Sequence, residues 1–371
     1  MSGFLLKEKY KDLYKILNSQ KNKKIFIISG KNSYYKSGAN KLIDPILINK
    51  DCKIYFKKQN IPSLDEMVSI HKNLKYFNPD ILLAIGGGAV LDYAKISNCI
   101  VNLKNLKQNI KNQTTKLKKC FRLIAIPTTA GSGAEVTSNA VIYIDNIKYS
   151  LEGKEICPDR FFLIPELIID LKKKIKASSG FDAFSQSIES IISVKSNAES
   201  IFYAKKSIKI LKSTFTNYYE NPNLKNSLLM SKAAYFSGKA INLTKTTAPH
   251  AVSYPFTSQF GISHGHAVSL TLNKFLKHNI VNLNLSQCKF DLRKRYEIFY
   301  KITETHNFEE FDNYLSKIKY KINLEQNFKK LGVNINQKMD LILKGINLKR
   351  LNNNPVKIQK KDIIAILSGE K

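Results

Sequence analysis

Histidine is scarce in this chain, with six among 371 residues. Long apolar runs are missing too. None approaches the ~18 residues of a membrane span, so no transmembrane segment is expected. The opening stretch MSGFLLKEKYKDLYKILNSQ has too short an apolar segment and too many charges for a secretory signal. Cysteine is sparse: Cys52, Cys99, Cys120, Cys157 and Cys288 form no CxxC pair, and this odd, dispersed set fits reduced thiols in a cytoplasm. Acidic residues are outnumbered, 29 against 60 Lys and Arg, for a formal net charge of +31. Most of the cations are lysines spread among Asn and Ile along the whole length, which reads as a compositional bias. A nucleic-acid reader concentrates charge on one face and uses Arg for base contacts, so no nucleic-acid partner is expected. An anionic small molecule drawn in by the field is the milder inference.

What is present suffices for two domains, with 43% hydrophobic residues to build their cores. The first half alternates short apolar runs with helical patterns. KIFIISG, Lys24–Gly30, reads as a buried strand ending in Gly, and CKIYFKK as a second. SLDEMVSIHKNLKYFNP opens with Ser63 as N-cap and Glu66 three residues on, a capping box, and stops at Asn78-Pro79. DILLAIGGG is a strand running into glycines, AVLDYAKISNCIVNL a helix, and FRLIAIPTT another strand. This alternation predicts an α/β domain with a parallel sheet. From about Ser178 the apolar spacing turns helical, as in DAFSQSIESIISV and AESIFYAKKSIKILKSTFTNYY. The expected division is an α/β domain over 1–177 and an all-α domain over 178–371, meeting at a loop KASSG, Lys176–Gly180.

LLAIGGGAVLDYAK places Gly86, Gly87 and Gly88 where a strand hands over to a helix. Glycines allow close backbone approach, and the helix start offers N–H groups and a positive dipole end, so a phosphate or pyrophosphate fits. The pattern is neither GxGxxG nor a P-loop, and a tight turn without a ligand is the alternative. IPTTAGSGAEVTSNAVI is a second such loop. Thr128, Thr129 and Ser132 bring hydroxyls, and Gly131 and Gly133 bring backbone access, which suits phosphate, ribose or amide groups. Loops that follow parallel strands lie at one sheet end, where α/β proteins bind ligands.

Half of the histidines, His250, His264 and His266, crowd into TTAPHAVSYPFTSQFGISHGHAVSL. A helix–loop–helix would bring the imidazoles of His250 and His264 to one point. Asp182 and Gln186 in SSGFDAFSQSIES are spaced i, i+4 and share a helix face. One carboxylate and two imidazoles are borderline ligands for Fe(II) or zinc, with the Gln186 oxygen as a weak fourth and an open position for a substrate oxygen. His266 points off that face. The alternative for any single one of these histidines is a packed core residue.

GGGAVLDYAK, PTTAGSGAEVT, GFDAFSQSIES and HAVSYPFTSQFGISHGHAVSL follow one another in the order seen in the iron-containing (group III) alcohol dehydrogenases, relatives of dehydroquinate synthase and glycerol dehydrogenase. From Lys24 to Leu272 the chain resembles that family. The resemblance implies a Rossmann-like nucleotide-binding domain, a dehydroquinate synthase-like helical domain, and NAD(P)-dependent hydride transfer assisted by a metal. It implies Gly86, Gly87 and Gly88 at the cofactor pyrophosphate, with Asp92 at the motif's acidic position. Thr128 and Thr129 fall at the adenine–ribose side or the phosphates, with Ser132 on the same loop. Lys148 in NIKYSL falls at the nicotinamide ribose, and Asp182, His250 and His264 become metal ligands. The family usually has His four residues after the Asp, where this chain has Gln186, a weaker donor. Many NAD-dependent members carry Asp after the first strand, where this chain has Gly30 followed by Lys31. Loss of a carboxylate and gain of a cation favour a 2′-phosphate, so NADPH is expected, with NADH the alternative.

SGKNSYYKSGA, KYSLEG and SGKAINLTKTTAPHAVSYPFTSQFGISHGHAVSLTL carry a narrower resemblance, to the subgroup that reduces phosphonoacetaldehyde to 2-hydroxyethylphosphonate. A small anionic aldehyde wants cations near the metal. Lys239 and Lys245 flank the metal segment, and Thr246 and Thr247 add hydroxyl donors. The expectation is a cytoplasmic, homodimeric, metal-assisted aldehyde reductase. His266 or water returns the proton, and Lys245 serves the substrate. The alternatives are a reductase of uncharged aldehydes with the same fold, and a lyase or cyclase like dehydroquinate synthase that uses nicotinamide without net turnover.

Overall fold

The structure, a computed structural model, describes residues 10–369; residues 1–9, part of the stretch read for a secretory signal, lie outside them. Two compact units emerge. One runs through Thr129 and adds Ala134–Ile144 and Tyr149–Leu171; the other takes Ala130–Gly133, Asp145–Lys148 and the chain from Lys172 on.

The first unit holds strands β1 (Lys24–Ser29), β2 (Asp51–Phe56), β3 (Ile81–Gly86) and β4 (Arg122–Pro127), a hairpin of β5 (Asn139–Ile144) and β6 (Ile147–Glu152) whose turn and first two β6 residues are counted with the other unit, and the short β7 (Arg160–Phe161). Five of them form a parallel sheet in the order β2-β1-β3-β4-β7. Side chains alternate across it. Phe26, Ile28, Leu82, Ala84, Leu123 and Ala125 pack on one face, against helices α4 (Leu64–Phe77) and α5 (Gly88–Cys99). Ile25, Ile27, Leu83, Ile85, Ile124 and Ile126 pack on the other, against α1 (Lys11–Asn18) and α3 (Ala39–Leu47). Helices cover both faces, so neither needs polar residues, and the strands read as unbroken apolar runs. Each buried Ile or Leu contributes roughly 1.5–3 kcal/mol. The short α2 (Lys31–Tyr35) and α6 (Leu106–Asn112) complete the unit.

The capping box expected at α4 forms only in part. Ser63 Oγ accepts from the Glu66 amide, but the Glu66 carboxylate turns to the amides of Lys58 and Gln59 and to the Tyr93 hydroxyl. That hydroxyl also accepts the Ser63 N–H at 2.8 Å, which leaves Glu66 nothing to bond there.

The second unit is helical: α7 (Lys173–Ile192), α8 (Ala198–Glu220), α9 (Leu224–Thr244), α10 (Ala248–Phe260), α11 (His264–Val281), α12 (Leu292–Thr303), α13 (Phe308–Lys321), α14 (Ile335–Lys344) and α15 (Lys360–Ser368). The abundant asparagine has a use here. Asn197, Asn223, Asn307 and Asn334 each cap a helix start with the side-chain oxygen. Among the described residues no helix is long and apolar enough to cross a membrane.

The expected loop at Lys176–Gly180 is instead the interior of α7. Ser178, Ser179 and Gly180 are small because neighbours come close. A Cβ on Gly265 would lie 1.9 Å from the Ser178 carbonyl oxygen, and one on Gly131 2.8 Å from that of Ser179.

Candidate functional site

Asp182 on α7, His250 on α10 and His264 at the start of α11 converge, with one ligand atom from each lying within 4.8 Å of the others. His250 Nε2 is 3.2 Å from Asp182 Oδ1, and His264 Nε2 is 3.9 Å from the same oxygen. Ligands held about 2.1 Å from a tetrahedral ion stand roughly 3.4 Å apart, so the spacing fits a divalent metal. A second observation agrees. At 3.9 Å the His264 Nε2 contact is too long for a hydrogen bond, and its Nδ1 is buried without a partner, so the ring lacks any bond that an ion would replace. His250 and Asp182 are nearly sealed, whereas 32% of the His264 side chain is open, which keeps the cluster reachable. Gly265 makes the convergence possible, since α11 could not approach α7 at Ser178 and Asp182 with any side chain there.

Electrostatics follow from the packing. Burial opposes the Asp182 carboxylate, but the His250 and His264 rings and Lys148 outweigh it and hold its pKa below the usual range. Burial likewise opposes the His250 imidazolium, yet Glu189 and Asp182 push its pKa well up. His264 is driven the other way, mainly by burial, and is neutral. A metal would displace the proton that His250 holds.

Sequence reasoning did not find Glu189. It is fully buried on α7, and its carboxylate accepts from His250 Nδ1, from the Thr247 N–H (2.9 Å) and hydroxyl (2.8 Å), and from the His250 N–H (3.3 Å). It fixes the tautomer that turns His250 Nε2 toward Asp182, as carboxylates behind metal-bound histidines do, and it satisfies the N-terminus of α10. The signal was available: Asp182, Gln186 and Glu189 are spaced i, i+4, i+7 along one stripe of α7. Tyr254, four residues after His250, was missed as well. Its ring stacks on His264 with centroids 5.5 Å apart, and Lys148 Nζ lies 3.5 Å from its centre. Burial would raise the Tyr254 pKa, but Lys148, Arg350 and His250 bring it down to about 8.

Other expected residues are placed as follows. The Gln186 oxygen accepts from the Ser237 hydroxyl at 3.1 Å, which leaves one lone pair for an ion. His266 faces away from the ligand face of α11, and its Nε2 bonds the Glu325 carbonyl at 2.7 Å. Thr247, expected to meet the substrate, spends its hydroxyl on Glu189 instead. Lys239 lies 5.6 Å from the ring centre of Tyr203, and Asn353 bonds the Thr246 carbonyl. Lys245 closes α9 with φ +61, which turns the chain into α10. Lys148 sits just past the hairpin turn of β5 and β6, where Asp145 and Asn146 take φ of 53 and 60, and its carbonyl accepts from Asn347.

The cofactor candidates of the α/β unit gather at the carboxyl ends of the strands. Gly30 follows β1, Gly86 ends β3 and Gly87 and Gly88 lead into α5, and Thr128 and Thr129 follow β4. In this register Ser29 pairs with Ile85 and Gly86 with Pro127. The order β2-β1-β3 puts the topological switch between β1 and β3, beside the glycines. Gly87 is the N-cap of α5 and no side chain caps it, so the helix start can receive an anion. A Cβ on Gly87 would lie 3.3 Å from Thr129 Oγ1. Lys31 is exposed at the first position of α2. Asp92, half-buried on α5, bears on the buried Lys95, which bonds the Ala134 carbonyl and Thr137. Ser132 belongs to the helical unit. Gly131 and Gly133, read from sequence as backbone access for a ligand, serve packing instead. A Cβ on Gly133 would lie 2.4 Å from Gly238 Cα.

Comparison with known proteins agrees. Residues 5–165 match the model of the iron-containing alcohol dehydrogenases, and residues 176–370 match that of the Fe-containing alcohol dehydrogenase family, C-terminal. The chain is 31% identical over 225 residues to a phosphonoacetaldehyde reductase of Streptomyces viridochromogenes, covering 58% of this chain and 57% of that protein. It is 27% identical over 197 residues to long-chain-alcohol dehydrogenase 1 of Geobacillus thermodenitrificans, covering 52% of this chain and 50% of that one. The chain thus spans about half the length of these relatives. Two solved structures share the fold. One is a sulfoacetaldehyde reductase from Bifidobacterium kashiwanohense in complex with NAD+ (TM-score 0.83, 24% identity, 98% of this chain and 94% of that one). The other is an alcohol dehydrogenase from Oenococcus oeni (TM-score 0.85, 22% identity, 97% and 96%). With both halves of its length matched, the chain belongs to the iron-containing alcohol dehydrogenase family.

Proposed function

We propose that this protein reduces an aldehyde to a primary alcohol with NAD(P)H and a divalent metal, Fe(II) or zinc, and that its substrate is phosphonoacetaldehyde, yielding 2-hydroxyethylphosphonate. The observation that carries the reading is the convergence of Asp182, His250 and His264. When bound, the ion would supply a Lewis acid for the carbonyl and the nicotinamide would supply the hydride. The protein's own part is to present one carboxylate, the neutral His264 imidazole and the His250 ring, which would give up its Nε2 proton to the ion while Glu189 holds Nδ1–H. Tyr254 packs on His264 and shields it from water on that side. The uncapped start of α5 at Gly87 receives the cofactor pyrophosphate. Lys31 after Gly30, with no carboxylate in that place, supports NADPH. The 31% identity to a phosphonoacetaldehyde reductase supports the substrate.

A second reading, reduction of uncharged aldehydes, gains from the placement of Thr247 on Glu189 and of Lys239 over Tyr203, since both were candidates for the phosphonate. A substrate panel decides. NADPH oxidation is followed with phosphonoacetaldehyde and with butyraldehyde, in metal-loaded and chelator-stripped protein, and again with NADH. Preference for butyraldehyde overturns the phosphonate assignment, and full activity of stripped protein overturns the metal's role.

A further inference from the structure

Lys245, which closes α9, has φ 61 and ψ 176. That backbone conformation suits glycine and strains any residue with a Cβ, and it persists only where neighbours hold it. Asn353, at the end of the turn Leu348–Asn353, does the holding. Its Nδ2 donates to the carbonyls of Thr244 (2.7 Å) and Thr246 (2.8 Å), one on each side of Lys245. Both amide hydrogens are used, so the orientation of the side chain is fixed. Its Oδ1 is buried without a partner, so the turn is gripped at the cost of an orphaned acceptor. Asn354 meets the next element. Thr247 precedes α10 but its side chain does not cap the helix. The first amides go to residues distant in sequence. Glu189 accepts from Thr247 and His250, Pro249 has no N–H, and Asn354 Oδ1 accepts from Ala248 at 3.4 Å. Asn354 is fully buried and pairs with Asn279 of α11, donating at 2.7 Å and accepting at 3.4 Å. It also donates to the Val356 carbonyl at 2.7 Å. One side chain thereby ties the helix of His250 to the helix of His264. Val194, just past α7, donates its N–H to the Asn353 carbonyl at 3.3 Å, so the helix of Asp182 is reached too.

We propose that Asn353 and Asn354 are positioning residues of the metal site: Asn353 holds the strained turn that leads into α10, and Asn354 fixes the start of that helix against α11, so that His250 stands where an ion shared with Asp182 and His264 needs it. This rests on the metal-assisted reading above. The lever is short, since Ala248 lies two residues before His250 in the same helical turn. Without the two asparagines, Glu189 alone would cap α10 and the turn at Lys245 would relax away from its strained geometry. An ion would then have to re-order the start of α10 as it bound. That weakens binding while leaving every ligand in the chain. The strain also makes the two roles separable. A glycine in place of Lys245 adopts this backbone at ease, and the turn then has no need of Asn353.

The test is zinc titration against a chromophoric chelator, with thermal melts to establish that each variant folds. Asn354→Ala should weaken zinc about fivefold, the usual worth of one helix cap, and Asn354→Ser stands in if Asn354→Ala does not fold. Asn353→Ala should weaken zinc by a similar factor in the wild-type chain and by less than about twofold in the Lys245→Gly background, because effects do not add where one residue works through another. Ser207→Ala is the control. It removes a buried 2.9 Å bond from α8 to the Ala233 carbonyl of α9, touches none of these contacts, and should leave zinc affinity unchanged. Unchanged zinc affinity in the folded asparagine variants overturns the proposal. An equal loss from Asn353→Ala in both backgrounds overturns it as well, and so does an equal loss in Ser207→Ala. If wild type binds no zinc, the metal reading falls, and proton NMR of the metal-free chain judges the positioning role by itself. The His250 Nδ1 proton bonded to Glu189 should then shift in Asn354→Ala and stay in place in Ser207→Ala. No shift in Asn354→Ala overturns the proposal.

Discussion

Replacing Glu189 with Gln tests the metal centre through a residue that touches no metal. The amide oxygen can keep the three bonds that Oε1 now accepts, from the Thr247 N–H and hydroxyl and the His250 N–H. The amide nitrogen takes the place of Oε2 and brings N–H donors to face His250 Nδ1, itself a donor to Glu189 now. Two donors cannot share one bond, so the ring gives up its Nδ1 proton and keeps the one on Nε2, the atom 3.2 Å from Asp182 that a metal would use. Binding must then reverse the tautomer against the amide. Loss of such an outer partner weakens metal about 10–100-fold, or about 1.4–2.7 kcal/mol. The assay is zinc titration against a chromophoric chelator near neutral pH, with thermal melts to confirm that the variant folds. Unchanged zinc affinity in folded Glu189→Gln would refute the role given to Glu189. Glu189→Ala is the wrong variant, since it orphans several buried donors at once and threatens the fold.

Gly265→Ala drives a methyl to 1.9 Å from the Ser178 carbonyl and 2.9 Å from Asp182 Cβ, so α11 must shift; urea unfolding should show a loss of about 1–3 kcal/mol and zinc titration a weaker site. Gln186→His supplies an imidazole one turn after Asp182, and chelator competition should show zinc held about tenfold tighter or more. Lys319 is buried and donates to the Ser269 carbonyl and Asn273, and burial pushes its pKa from 10.5 down to about 7 against the raising effect of Asp312. Between those values the unfolded chain holds a proton that the folded chain lacks, so stability from this group rises with pH by about 1.4 kcal/mol per unit and is lost as pH falls toward 7. Lys319→Met should flatten the difference between urea midpoints measured at about pH 7 and about pH 9; an unchanged difference would sink the assignment.

Much of this was legible in the sequence because the physics is local. Buried parallel strands announce themselves as apolar runs, and the glycines after Ile85 mark a strand-to-helix turn wherever it is placed in space. The cluster of Asp182, His250 and His264 was legible because His is rare and because Asp182 shares a helix stripe with Gln186. What failed depended on neighbours distant in sequence. Ser178, Ser179 and Gly180 look like loop residues, but small side chains are what α7 needs where Gly131 and Gly265 press against it. The Glu66 half of the capping box was lost to Tyr93, a partner on another helix. The hairpin of β5 and β6 was hidden because half-buried residues in β6 blur its alternation. Thr247 reads as a ligand donor until Glu189 is seen to claim it.

Gly133 and Gly238 touch backbone to backbone, and a methyl group on either would strike the other. Neither can be exchanged alone, nor does substitution of one make room for substitution of the other. Mutational drift at these two positions is therefore locked, and the segment leading from the strand β4 into the helical unit inherits a seam that natural variation cannot loosen one step at a time. Random mutagenesis with selection for folded protein should leave the two glycines intact while the surrounding serines and threonines vary.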